Sequence, residues 1–446
     1  MEPQLPRCEA GGEGGADSDR ENTVSTIHDR HERRTPASAA LMRRAANSMP
    51  HGVTRTLSWF DPYPVVFERG EGAYLYDIDG NRYLDLFANG LSLIHGHRYP
   101  PIERALAAAL ERGTAWPGAS RAQVEFAELL CRRVPGAEQV RFANTGTEAT
   151  MLGVKLARHV TGRTLIVKGW HAYHGSYEDL EAGLAGAGEM PGRVALATFG
   201  AIETYETQLD CHRDEVAAIL VEPVQYTGVV TLPPEGFLAA LQQLAREAGV
   251  LFILDDCLMF RLAEGGSSER FALAPADITC LGKWIGGGLP VGAIAASREL
   301  MSAFDPCPGV DGALYHGGSF NGNPLGATAG TIAVADLDAA AIARMDAQTE
   351  ALREGIAAAA ESHGVHLITP GVGSVFGLYV CEGPARGIDW DATRLLHLAA
   401  STRGVYYGSG GECALNTAIS DEDVEQACSA LAGALADLAA VANQRV

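Results

Sequence analysis

Residues 216–256 read VAAILVEPVQYTGVVTLPPEGFLAALQQLAREAGVLFILDD. An unbroken apolar run opens this stretch, and a second one, VLFILDD, closes it. Between them lies an amphipathic helix pattern that stops at Gly249. Short β-rich runs around such a helix predict a strand–helix–strand unit in a parallel sheet, buried on both faces. Both runs end in acids: Glu222 after the first, Asp255 and Asp256 after the second.

The same rhythm extends outward. TLIVKG at 164–169 and ADITCLGK at 276–283 read as further strand ends, with helices between. From about residue 100 to 330 the alternation predicts an α/β fold with a mostly parallel sheet and helices on both faces. Residues 331–446 read as Ala-rich helices broken by short β-rich stretches, a smaller α+β lobe. Residues 37–99 read as a helix from Ala37 to near Pro50, then a hairpin around Asp79-Gly80-Asn81, grouped with the small lobe. Residues 1–36 have almost no apolar periodicity and are expected to be a disordered tail.

Composition narrows the function. The chain has 446 residues, 47% of them hydrophobic, enough for more than one lobe. Its formal net charge of −21 argues against nucleic-acid binding, which needs clustered Lys and Arg. The nine cysteines contain no C-x-x-C pair, which predicts reduced thiols, a cytoplasmic protein and no zinc site. No uninterrupted apolar run nears about 18 residues, so no membrane span is expected.

In open α/β sheets, ligands sit outside the carboxyl ends of the strands. Asp255 and Lys283, 28 residues further on, close two such ends. They fit either a shared crevice or a structural salt bridge at the sheet edge. Asn144-Thr145-Gly146-Thr147-Glu148 opens a helix. It fits an anion cup of free N–H groups and hydroxyls, and equally an ordinary capping box. Tyr173 and His174 follow a strand end, where an aromatic either stacks on a planar ligand or joins the core. Together, an anion cup, an aromatic, a carboxylate and a lysine are what pyridoxal phosphate needs. The amine forms a Schiff base with the aldehyde, and an acid keeps the ring nitrogen protonated.

With NTGTEA, YHG, VEPV, LDD, LGKWIGGGLPVGA and GGSFNGNPL in this order, the chain resembles the class III, fold-type I pyridoxal-phosphate aminotransferases. Within them it is similar to the glutamate-1-semialdehyde aminomutase branch, over roughly residues 38–440. The resemblance implies a seven-stranded-type sheet and a homodimer with shared active sites. It implies Lys283 as Schiff-base lysine and proton shuttle, and Asp255 at the pyridine nitrogen. Gly146 and Thr147 are implied at the phosphate, with Thr145 nearby, and Tyr173 on the ring with His174 beside it. Glu222 belongs to the cofactor residues and Gln225 approaches the ring hydroxyl. Ser319 is implied to reach the neighbouring subunit's phosphate.

The substrate end departs from the aminomutases. Ser58 of HGVTRTLSWFDPYP stands where their substrate arginine falls, and Arg55 appears three residues earlier. That placement resembles the β-amino-acid aminotransferases and implies Arg55 as the substrate-carboxylate ligand. Their second arginine has no counterpart in YYGSGGECALNTA. Arg403 or Arg261 is then expected to substitute, or the second substrate differs. Asp256 replaces a usual glutamate, and the large Met259 and Phe260 are expected beside the cofactor. The implied activity is amino transfer from an amino acid to a carboxylate-bearing keto compound, a β-keto or cyclic keto acid. An aminomutase or epimerase is the near alternative, and a non-catalytic cofactor-binding protein the distant one.

Overall fold

A computed structural model describes residues 18–184, 193–305, 312–383 and 387–443. In the N-terminal segment, β1 (Phe67–Glu71), β2 (Tyr74–Asp77) and β3 (Arg82–Asp85) form an antiparallel meander. Asp77 sets the β2–β3 turn by accepting from the N–H groups of Asp79 and Asn81, with Gly80 at φ 85° between them. The helix before it spans Pro36–Ala45, several residues shorter than the pattern suggested.

The large lobe is built on seven strands. They are β4 (Gln139–Ala143), β5 (Leu165–Gly169), β6 (Val194–Ala197), β7 (Val216–Val221), β8 (Leu251–Asp255), β9 (Ile278–Leu281) and β10 (Gly292–Ala296). Their order is β4-β10-β9-β8-β7-β5-β6, and β10 alone runs antiparallel to its neighbours. Every residue of β5, β7, β9 and β10 is buried, as helices on both faces require. One face packs the Gly146–Thr161 helix, with Ala149, Leu152 and Leu156 against Ile166, Ala218, Leu220 and Ile253. The other packs Phe237–Ala248, with Leu238 and Leu241 near Val167, Ile219 and Phe252.

Register decides what meets at the sheet's end. Lys168 of β5 lies opposite Leu220 of β7, and Leu220 opposite Ile253 of β8. Side chains two apart in a strand share a face. Lys168, Glu222 and Asp255 therefore stand on one face of three adjacent strands, the face that packs the Gly146–Thr161 helix.

The small lobe contains β11 (Leu367–Ile368), β12 (Gly371–Val372), β13 (Val375–Gly377), β14 (Tyr379–Val380), β15 (Val405–Tyr406) and β16 (Glu412–Ala414). The helices Ala339–Ser362, Trp390–Thr402 and Asp421–Asn443 pack with them. β15 pairs parallel to β3, so the N-terminal meander and the C-terminal lobe share one sheet and one core.

Two readings are corrected. Residues Ser18–Arg34 form a helix instead of continuing a disordered tail, and residues 1–17 lie outside the described set. Ile27 and His31, one turn apart on one face, are buried, and Arg30 pairs with Asp437 at 2.8 Å. These two buried residues and the ion pair anchor the second half of the helix. The boundary expected at 330/331 falls inside the Pro324–Ala335 helix, and the next helix begins only after Asp338, which caps it. Finally, Asp421–Val441 is long and apolar enough by length and composition to cross a membrane. Its Val424, Ala427, Leu431, Leu435 and Leu438 are instead buried in the small-lobe core.

Candidate active site

Asp255 ends β8 and is buried. His174 Nδ1 donates to its Oδ2 at 2.8 Å, and the Cys257 N–H donates to Oδ1 at 3.2 Å. Burial works to raise this carboxyl. The hydrogen bond and charge of His174, the Cys257 side chain and the Lys283 charge outweigh it and hold Asp255 below the usual carboxylate range. Burial also pushes the His174 imidazole down, against the pull of Asp255. The imidazole thus donates to a carboxylate held ionised.

Glu222, immediately after β7, accepts from the Tyr173 N–H at 2.8 Å. Its carboxyl is pushed up to about 8, first by burial and then by the Asp255 charge. Lys283 follows β9 after one glycine and sits half-buried at φ 53°. A non-glycine residue in this left-handed region is uncommon and is found preferentially at functional sites. Gly282 makes the approach possible: a Cβ there would lie 3.0 Å from Gly146 Cα and 3.3 Å from Cys257 Sγ. The lysine is therefore delivered against the start of the Gly146–Thr161 helix.

At that start the capping reading and the anion-cup reading both hold. Thr145 Oγ1 accepts from the Glu148 N–H at 3.0 Å, and Glu148 reaches back to the Asn144 N–H. The cap occupies the Thr145 hydroxyl. The N–H groups of Gly146 and Thr147 have no intrahelical acceptor, and the dipole's positive end points the same way. Gly175, at φ 101°, seats the Tyr173–Ser176 loop on this helix: a Cβ there would lie 2.6 Å from Thr147 Cα. Thr147 Oγ1 accepts from the Ser176 N–H at 3.2 Å. Tyr173 is half-buried, and Gln225 Nε2 donates to the Trp170 carbonyl at the same loop's base.

The fold thus brings together Gly146, Thr147, Tyr173, His174, Glu222, Asp255 and Lys283, with Gln225 at the edge. Two residues stay apart from them. Ser319 is exposed, on a turn held to the cup strand by Asn144 Nδ2 donating to Asn321 Oδ1 at 2.7 Å. Arg55 is exposed before a short 3-10 turn, where its charge acts on Tyr406 of β15.

Neither proposed substitute arginine is available. Arg403 makes a bidentate pair with Asp437. Arg261 is fully buried, with Nε on Ser374 Oγ and Nη2 on the Leu415 carbonyl, so it is a strut between lobes. Met259 and Phe260 are core residues and do not line the pocket: Phe260 stacks on Trp284 with centroids 5.7 Å apart. Asp256 is committed to Ser267, accepting from both its N–H and its hydroxyl. The sequence reading missed Cys257, wedged between Gly146 and Gly282, and Lys168. The signal for Lys168 was a lone lysine inside an apolar strand run.

These residues suit pyridoxal phosphate. Two free N–H groups at a helix start suit a phosphate, and Tyr173 offers a ring face. The ionised Asp255 suits a protonated ring nitrogen, and Lys283 supplies an amine for an aldehyde. The buried His174 Nε2 has no hydrogen-bond partner among the described residues.

Comparison with known proteins agrees. The sequence pattern of the family Aminotransferase class-III matches residues 58–435. A glutamate-1-semialdehyde 2,1-aminomutase of Chloroflexus aurantiacus is 34% identical over 94% of this chain and 100% of its own length. An omega-transaminase from Sphaerobacter thermophilus superposes with a TM-score of 0.86 at 34% identity, covering 90% of this chain and 98% of that one. A β-phenylalanine aminotransferase from Variovorax paradoxus gives 0.86 at 30% identity, over 93% and 96%. The chain therefore belongs to the class III aminotransferases, and is a fold-type I transaminase that uses pyridoxal 5′-phosphate.

Proposed function

We propose that the chain transfers an amino group from an amino acid to a carboxylate-bearing keto compound, a β-keto or cyclic keto acid, with Lys283 as the catalytic residue. The observation carrying this reading is the buried His174–Asp255 pair, which holds an ionised carboxylate in the field of Lys283. Pyridoxal phosphate, when bound, supplies an aldehyde for the amine and a protonated ring that takes up electrons from the donor carbon. The chain's residues do the rest. Asp255 keeps the ring nitrogen protonated, and His174 keeps Asp255 ionised. The N–H groups of Gly146 and Thr147 hold the phosphate, with Thr145 capping the helix that presents them. Tyr173 covers the ring, its own N–H fixed by Glu222, and Gln225 stands toward the ring hydroxyl. Lys283 Nζ takes the proton from the donor carbon and delivers it again, in the reverse sense for the acceptor.

Arg55 binds the substrate carboxylate in this reading. It has no carboxylate within ion-pair distance among the described residues, so its guanidinium is open to a ligand. The working unit is a homodimer. Tyr315 is 82% and Phe320 62% exposed on either side of Ser319, beside a cavity of about 1200 Å³ lined by Arg141, Phe304 and His316. A second copy covering this face would place Ser319 at the neighbour's phosphate. We further propose a cytoplasmic enzyme, on its scattered cysteines, and one of specialised metabolism, since Ser58 stands where the resemblance puts the aminomutase arginine.

The named aminomutase relative supports a second reading, in which the amine returns to the same skeleton. One experiment separates the two: a donor-and-acceptor screen on purified holoenzyme, read by mass spectrometry. Amino transfer consumes an external donor stoichiometrically. Isomerisation without a donor would favour the mutase.

A further inference from the structure

Lys168 is fully buried in β5, yet no carboxylate lies within ion-pair distance of it among the described residues. Burying an ammonium costs several kcal/mol unless its protons are satisfied. Here Nζ donates to the Leu180 carbonyl at 2.7 Å and the Ala182 carbonyl at 2.8 Å. Both acceptors lie in the turn at the far end of the loop that starts at Trp170, two residues after Lys168. That loop carries Tyr173 and His174. The lysine therefore joins the loop's two ends.

Other bonds fix the loop from its remaining sides. The His171 N–H reaches the Gly183 carbonyl at 3.3 Å, and Thr150 Oγ1 donates to the His174 carbonyl at 2.5 Å. Arg158 holds Asp179 at 2.7 Å. The titratable groups around Lys168 are Glu222 just after β7 and Glu181 on the turn, which act on it, and His174 on the loop, on which it acts. Burial is the main force lowering the lysine's own pKa, to about 8. A methionine would fill the same strand position without the desolvation cost, and would leave both carbonyls unpaired.

We propose that Lys168 is a positioning residue for the cofactor pocket: its buried ammonium staples the Leu180–Ala182 turn to β5 and so sets the loop bearing Tyr173 and His174. The proposal rests on the assignment of Tyr173, His174 and Asp255 to that pocket. Lys168 touches neither cofactor nor substrate in this scheme and acts through the loop.

The test compares Lys168→Met and Lys168→Arg holoenzymes with the unaltered enzyme. Lys168→Met is expected to weaken pyridoxal phosphate binding about tenfold or more, the loss of two charge-assisted hydrogen bonds acting through a loop. It should also shift the bound cofactor's visible absorbance and lower kcat more than it raises KM. Lys168→Arg should recover part of each effect. A Lys168→Met protein with lower Tm but unchanged cofactor affinity, absorbance and kcat would make Lys168 a core residue only, and overturn the proposal. If that variant does not fold, hydrogen exchange on the unaltered enzyme decides. Amides of residues 178–184 should gain protection on adding pyridoxal phosphate, and no change there overturns the proposal. Failure of the underlying pocket assignment looks different: Asp255→Asn would then leave cofactor absorbance and turnover as they were.

Discussion

His174 Nδ1 lies 2.8 Å from Asp255 Oδ2, and both side chains are closed off from solvent. Hydrogen bonds to charged groups contribute about 1.5–3 kcal/mol. His174→Ala should therefore lower kcat by roughly tenfold to a hundredfold and weaken cofactor retention. His174→Asn, whose amide can take the Nδ1 position, should keep most of the activity. Steady-state kinetics on reconstituted enzyme checks both.

Lys283→Ala should still bind pyridoxal phosphate, because the Gly146–Thr147 cup and Asp255 remain. Turnover should fall by about 10³-fold or more, since the variant lacks both the amine and the proton carrier. Single-turnover assays on the reconstituted variant measure this, and near-normal turnover would sink the site assignment.

Arg55→Ala addresses the substrate. Truncating one partner of a desolvated, hydrogen-bonded charge pair costs about 2–5 kcal/mol, or roughly thirtyfold to several-thousandfold. Because Arg55 is exposed in the single chain, the lower end is expected for kcat/KM on carboxylate substrates. Cofactor absorbance should not change. Arg55→Lys should rescue only partly, since an ammonium lacks the planar fork. An unchanged kcat/KM would make Arg55 a surface residue.

Phe320→Asp places a charge on the exposed face beside Ser319. Sedimentation should show a shift toward monomer, with weaker cofactor binding because the neighbour's Ser319 is lost. A fully active monomer would contradict the shared site.

Glu222 gives a pH signature in the cofactor-free chain. Its folded carboxyl titrates at about 8 against an ordinary 4.5, so the folded state holds this proton more tightly than the unfolded state. Its contribution is full below the unfolded value and is lost as pH rises toward the folded one. Asp256, pushed up to about 7 by burial, has the same sign. Urea midpoints should therefore fall between about pH 6.5 and pH 8, above the range where buried histidines such as His174 and His397 act with the opposite sign. Glu222→Gln keeps an acceptor for the Tyr173 N–H and should flatten that decline. An unchanged slope would mean Glu222 is ionised throughout.

The catalytic end of the molecule was legible because each chemical residue terminates an apolar strand. Glu222, Asp255 and Lys283 announce themselves by interrupting runs that periodicity identifies. Long-range partners have no such signature. Arg261 and Arg403 read as free guanidiniums, and only the fold shows one serving Ser374 and Leu415 and the other Asp437. Met259 and Phe260 read as pocket walls because they follow Asp255 closely, but a 3-10 turn carries them into the core. The Ser18–Arg34 helix was invisible because its sequence is mostly polar, and one buried pair such as Ile27 and His31 is too little to show a period. Lys168 was missed because its acceptors are backbone carbonyls, which no sequence displays.

The glycine contacts around Lys283 set how this enzyme tolerates change. Gly146, Gly175 and Gly282 are places where two backbones or a backbone and a thiol meet, with no room for a methyl group at Gly175 and a tight fit for one at Gly146 and Gly282. Arg55 and its neighbours, by contrast, stand on an exposed segment before β1. Directed evolution of substrate preference should thus find its improvements among residues 51–59, while libraries at the three glycines should return mostly apoenzyme.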